Sequence, residues 1–147
     1  DETGIFMPMI SSLFECVTVR DASYSGVKII ADGGIETPAD VCKELAIGAD
    51  VIMCGGIFAG TKETPGKIRK IKGKLYKEYN GAASYATQTD FKDEDPDYVE
   101  GDETFVEYKG SVSKVVKRFK AGLQSSMSYV DAHNLSEFRD NVEIGLL

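Results

Sequence analysis

The chain has 147 residues and a formal net charge of −7, with 42% apolar and 28% charged residues. That balance suits a globular domain with its own core. It leaves no run of the roughly 20 apolar residues that a membrane-spanning helix needs. It also argues against nucleic acid, whose binding rests mainly on phosphate neutralisation by Lys and Arg. The basic clusters at 67–77 and 114–120 read as solvated faces, answered by acidic residues between Asp90 and Asp102.

The first residue is Asp1 rather than Met, and no basic start precedes an apolar run. The expectation is therefore part of a longer polypeptide, without a signal peptide. Cys16, Cys42 and Cys54 form an odd set with no CxxC pair, which fits a reducing cytoplasm better than a disulfide framework. Nothing has the His/Cys spacing of a metal site, so none is expected.

Residues 1–8, with Gly4 and Pro8, read as a loop. In 9–20, Ile10, Leu13, Phe14 and Val17 fall at helical spacing. Ser25-Gly26 break the chain, and VKIIA at 27–31 predicts a strand buried on both faces, ending at Asp32-Gly33-Gly34. Thr37 as N-cap and Pro38 in the first turn predict a helix with Val41, Leu45 and Ala46 on its apolar face, stopped at Gly48. DVIMC at 50–54 predicts a second strand, running into Gly55-Gly56. Strand, helix, strand implies a parallel sheet or barrel, with both glycine pairs at C-terminal strand ends.

Residues 67–79 predict a hairpin turning at Lys72-Gly73-Lys74, and 80–104 read either as an excursion over a site or as a simple surface loop. Ser111 is placed to cap a long helix with Val112, Val115, Val116, Phe119 and Leu123 on one face. Asn134 is placed to cap a short last helix.

Glycine lets a backbone approach an anion closely, so two pairs on successive strand ends can cradle one phosphate, as barrel strands seven and eight often do. The alternative is that they only make tight turns, and spacing leaves the two readings even. Asp32 can accept two hydrogen bonds from a ribose diol or cap the next helix. Glu100, in the acidic excursion, and His133, without an evident partner, carry no strong signal by position. No cysteine stands in a nucleophile setting.

IIADGGIETPADVCKELAIGADVIMCGGIFAGTKETPG (29–66) resembles the phosphate-binding core of the IMP dehydrogenase/GMP reductase family. VEYKGSVSKVVKRFKAGLQSSMSYVDA (106–132) is similar to that family's C-terminal segment. The resemblance runs from about Thr3 to about 140. It implies an α/β fold in which 1–147 is the C-terminal portion of one (β/α)₈ TIM barrel, with 67–104 a hairpin and flap excursion, C-terminal helices, and the N-terminal part absent.

By motif position, Asp32 would bind the ribose hydroxyls, and Gly33, Gly34, Gly55 and Gly56 the 5′-phosphate. Tyr79, Gly81, Ala82 and Ala83 would run along phosphate and base. Glu100 and Gly101 would meet the purine edge, with Glu100 also handling a proton. Ser125, Ser126, Met127 and Ser128 would touch the cofactor of a neighbouring subunit. The family's nucleophilic cysteine falls about four residues before Asp1 and is none of the three present.

Gly55-Gly56, where dehydrogenases usually have Gly-Ser, favours the reductase branch, as do Phe14-Glu15-Cys16 and the lack of an Arg-Tyr pair between Gly81 and Tyr98. That pair marks the dehydrogenase flap. Two residues depart from the reductase pattern. Ala82 replaces a usual methionine, and Asp97 stands where an arginine is common near the cofactor. The resemblance thus implies reductive deamination of GMP to IMP with NADPH, NADH and potassium being further candidates. It implies a cytoplasmic homotetramer whose partners are GMP or IMP and the rest of the barrel, without nucleic acid or membrane. Oxidation of IMP with NAD, and a non-catalytic nucleotide-binding fragment, are the alternatives. The chain alone is expected to be inactive.

Overall fold

The computed structural model describes residues 7–80 and 103–145. They divide into two compact units, 7–57 with 115–145, and 58–80 with 103–114.

In the first unit, α1 (Met9–Ser23) precedes β1 (Ile30–Asp32), α2 (Pro38–Ile47) and β2 (Val51–Met53). The two strands pair in parallel, with Ile30 opposite Val51, Ala31 opposite Ile52 and Asp32 opposite Met53. Ala31, fully buried, packs with Leu13 and Ala49, and Val17, Ile29, Ile47 and Ile52 close over them. The opposite face of the pair is bare among the described residues: Ile30 is 54% exposed, Val51 50% and Met53 49%. The prediction of a strand buried on both faces at 27–31 is therefore wrong on its face and its extent. Asp50 and Cys54 likewise flank β2 rather than belong to it. Phe14, placed by spacing on the buried face of α1, is exposed.

α2 forms where its signals predict. Thr37 and Asp40 make a reciprocal capping box, with Pro38 in the first turn. Gly48 ends the helix at φ 131°, and a Cβ there would press on Val17 Cγ1 at 2.9 Å. α3 (Val112–Tyr129) starts within the second unit's last residues and continues into the first unit's segment, and α4 (Leu135–Asn141) is capped by Asn134, whose side chain accepts from the Glu137 N–H. Cys42, Ala46, Ala132 and Phe138 form a second buried cluster, flanked by Leu123, Met127, Val130 and Val142. The apolar face read into α3 is only partly covered: none of its residues is buried and Val116 is 49% exposed.

In the second unit, β3 (Ile68–Ile71), β4 (Lys74–Asn80) and β5 (Glu103–Glu107) form an antiparallel sheet in that order. Lys72 and Gly73 turn the hairpin, both with positive φ (48° and 83°), as a two-residue turn matched to strand twist requires. β5 was not legible in the sequence, where 80–104 read as one excursion. Lys77, read as part of a solvated basic run, is instead only 3% exposed. Ser111 caps α3 as expected, accepting from Ser113 N at 3.3 Å, and Glu63 adds a second cap by accepting from Val112 N at 2.8 Å.

Candidate functional site

The register of β1 and β2 brings the two glycine pairs out side by side. Asp32 and Met53 are partners across the ladder, so Gly33-Gly34 and Cys54-Gly55-Gly56 leave the sheet at one level and on one edge. Gly33 (φ 120°) and Gly34 (φ 71°) hold backbone conformations that other residues adopt only under strain. Gly33 is also close to Met9, whose Cε would lie 3.3 Å from an added Cβ. Gly56 is different. Its φ is not in the left-handed region, and no described atom lies within 4 Å of where a Cβ would stand. Neither strain nor crowding among the described residues demands glycine at 56. What glycine supplies there is room above the strand end, where an oxyanion can approach the backbone.

Asp32 is exposed at the end of β1, and its carboxylate has no hydrogen bond or ion pair among the described residues. It does not cap α2, because Asp40 takes that place, accepting from Thr37 N and Thr37 Oγ1 at 2.8 Å each. The Thr37 hydroxyl bond, with the Thr37 and Glu36 amides, holds the Asp40 carboxyl below its ordinary range. The first turn of α2 is thus filled by the chain's own carboxylate. Asp32 remains available to accept bonds from a diol.

Tyr79 lies half-buried in β4, in the second unit. Gly81, Ala82, Ala83, Glu100 and Gly101 lie outside the described residues. Ser125 and Ser128 are exposed on α3, where Ser128 Oγ donates to Ser125 O at 2.8 Å. Ser126 lines an apolar cavity of about 510 Å³ beside Cys42, Ala46 and Phe138. Met127 packs against the Cys42–Phe138 cluster.

Burial, and then the nearby Glu44 carboxyl, push the Cys54 thiol above its ordinary value, the reverse of what an activated nucleophile needs. No group of three or more potential metal ligands occurs among the described residues, and no described helix is long and apolar enough to cross a membrane. Sequence reasoning missed Glu44 and Lys77, both 3% exposed. Neither has a signal beyond sitting in an otherwise ordinary amphipathic element.

The model of one family, described as the IMP dehydrogenase / GMP reductase domain, matches residues 2–146. An inosine-5′-monophosphate dehydrogenase of Halobacterium salinarum is 39% identical over 150 residues, covering 96% of this chain and 30% of the relative. A GMP reductase of Chromobacterium violaceum is 39% identical over 140 residues, covering 95% of this chain and 41% of the relative. The chain therefore spans about a third of the length of these curated relatives. A crystal structure of a Trypanosoma brucei GMP reductase variant in complex with guanosine 5′-monophosphate superposes with a TM-score of 0.84 at 33% identity, over 95% of this chain and 29% of that one. The α/β elements thus fit part of a TIM barrel, without a closed barrel among the described residues. Match extent, identity and superposition agree: the chain belongs to the IMP dehydrogenase/GMP reductase family.

Proposed function

We propose that the polypeptide carrying this chain is a GMP reductase, which deaminates GMP reductively to IMP and ammonia with NADPH. The observation that carries the nucleotide-binding part is the pair of strand ends in register. Gly33-Gly34 and Gly55-Gly56 share one edge, with open space at Gly34 and Gly56 and an unengaged Asp32 beside them. In this reading the glycines hold the 5′-phosphate, Asp32 the ribose hydroxyls, and Tyr79, Gly81, Ala82 and Ala83 run beside phosphate and base. Glu100 and Gly101 recognise the purine edge, and Glu100 holds the proton that the leaving amine needs.

Gly55-Gly56 and the lack of an Arg-Tyr pair between Gly81 and Tyr98 favour the reductase. Equal identity to a dehydrogenase, 39%, keeps IMP oxidation with NAD as the second reading. The exposed hydroxyls of Ser125 and Ser128 are suited to hydrogen-bond a nicotinamide dinucleotide held by a neighbouring subunit, which supplies the hydride. Asp97 would repel an added 2′-phosphate, which leaves NADH as the rival donor. Potassium belongs to the same proposal, as does the homotetramer, with no ligand assigned to the ion. The part this chain plays is positional: it fixes phosphate, ribose and base so that attack on the purine starts from one geometry.

Gly56→Val tests the cradle. Each charge-assisted bond to a phosphate is worth about 1.5–3 kcal/mol, so affinity for GMP should fall roughly ten- to hundredfold while affinity for guanosine stays unchanged. Titration calorimetry with both ligands reads this. Equal loss for both would place the phosphate elsewhere.

A further inference from the structure

The Lys77 ammonium is buried in the second unit and makes three hydrogen bonds, all to backbone carbonyls: Thr61 O at 2.8 Å, Lys62 O at 3.0 Å, and Thr64 O. A lysine has three donors and no acceptor, so the group is fully satisfied. No carboxylate lies within ion-pair distance of it among the described residues. A buried charge is costly unless compensated. Among the described residues only carbonyl dipoles compensate it, in the manner of a carbonyl cage around a bare monovalent cation.

The turn that supplies these carbonyls is pinned at both ends. Gly60 (φ 81°) lies so close to β5 that a Cβ would overlap the Glu107 carbonyl, and Lys109 N donates to Gly60 O at 2.8 Å. Gly66 (φ 98°) lies equally close to β4, where a Cβ would overlap the Glu78 carbonyl. Lys62 N also donates to Gly110 O at 2.7 Å. Along the chain this turn begins four residues after Gly56, and Lys77 stands two residues before Tyr79, on the same face of β4.

We propose that Lys77 is a positioning residue whose ammonium acts as a built-in monovalent cation, fixing the turn that follows Gly55-Gly56 and the strand that leads into Tyr79 in the register that nucleotide binding needs. This rests on the nucleotide reading above. The aliphatic stem alone would not do it, because what gathers three carbonyls is a compact donor of three protons.

Full-length polypeptide provides the test. Lys77→Ala leaves the carbonyls facing an open space, and Lys77→Met fills that space without donors. GMP affinity should fall roughly ten- to hundredfold in both, as small misplacements of binding groups do. Ammonium or ethylammonium should restore most of the loss in Lys77→Ala and none in Lys77→Met. Tetramethylammonium, which has no N–H donor, should restore neither. Unchanged affinity in Lys77→Ala, or a loss that no amine reverses, would overturn the proposal.

If the wild-type polypeptide binds no nucleoside monophosphate, the functional reading fails on its own. The melting midpoint of Lys77→Ala then decides the cage, supporting it by rising with ammonium and overturning it by staying flat. Should that variant not fold, the ¹⁵N-labelled lysine side chains of the wild type decide instead. A slowly exchanging ammonium signal from Lys77 supports the cage, and exchange at the rate of solvated lysines refutes it.

Discussion

Glu44 carries a carboxyl into the packed side of α2, where its Oε2 has no hydrogen-bond partner among the described residues. Burial, reinforced by the Asp40 charge one turn earlier, raises its pKa above the ordinary carboxylate value. A carboxyl raised in the folded state binds its proton more tightly there than in the unfolded chain. Its contribution is therefore full at low pH and is lost as pH rises from the ordinary value through the folded one. Asp50 has the opposite sign. The Ile29 amide (3.0 Å), Lys28 and Arg20 hold its pKa down, so its contribution is full above the ordinary value and is lost as pH falls through the depressed one. Glu44→Met should stabilise by about 1 kcal/mol, because an unpaired buried acceptor is removed. The gain should be larger at pH 8 than at pH 5, as read by urea unfolding. A gain that shrinks with rising pH would mean that Glu44 is charged and paired. None of this is legible in the sequence, where Glu44 is one acid among the charged positions of an amphipathic helix.

At the scale of elements, α2 and α3 approach at Gly122, where a Cβ would overlap the Pro38 ring. Gly122→Leu should force the two helices apart and cost about 1–3 kcal/mol, the usual penalty of overpacking. Urea unfolding checks it, and a variant as stable as wild type would contradict the close approach. Helices with strong end signals were readable: Thr37, Pro38 and Gly48 bound α2, and Asn134 starts α4. The Lys72-Gly73 turn was readable for the same reason, since few residues adopt its dihedrals. β1 and β2 were misjudged because an apolar run reports burial in the complete fold, not the three residues that pair here. β5 was missed because Glu103–Glu107 begins inside an acidic stretch, and its pairing with β4 is a long-range choice that local pattern does not encode.

For the molecule as a whole, the bare face of β1 and β2, carrying Ile30, Val51 and Met53, is what a barrel wall shows when only two of its strands are in view. Such a face, with strand edges that have no further partner among the described residues, predicts association. The 147 residues expressed alone should run above monomer mass in light scattering, and a monomeric species with a cooperative melt would contradict this. The family was legible from the spacing of the two glycine pairs and the YKG segment, and the match over residues 2–146 agrees. The choice between its two activities was less legible, because a dehydrogenase and a reductase are each 39% identical to the chain and only short motifs such as Gly55-Gly56 favour one over the other. Cofactor turnover by the full-length polypeptide tests the central claim most directly, with GMP plus NADPH and IMP plus NAD assayed side by side. The account predicts NADPH oxidation that depends on GMP, with no NAD reduction from IMP. Reduction of NAD driven by IMP alone would contradict it and make the protein a dehydrogenase.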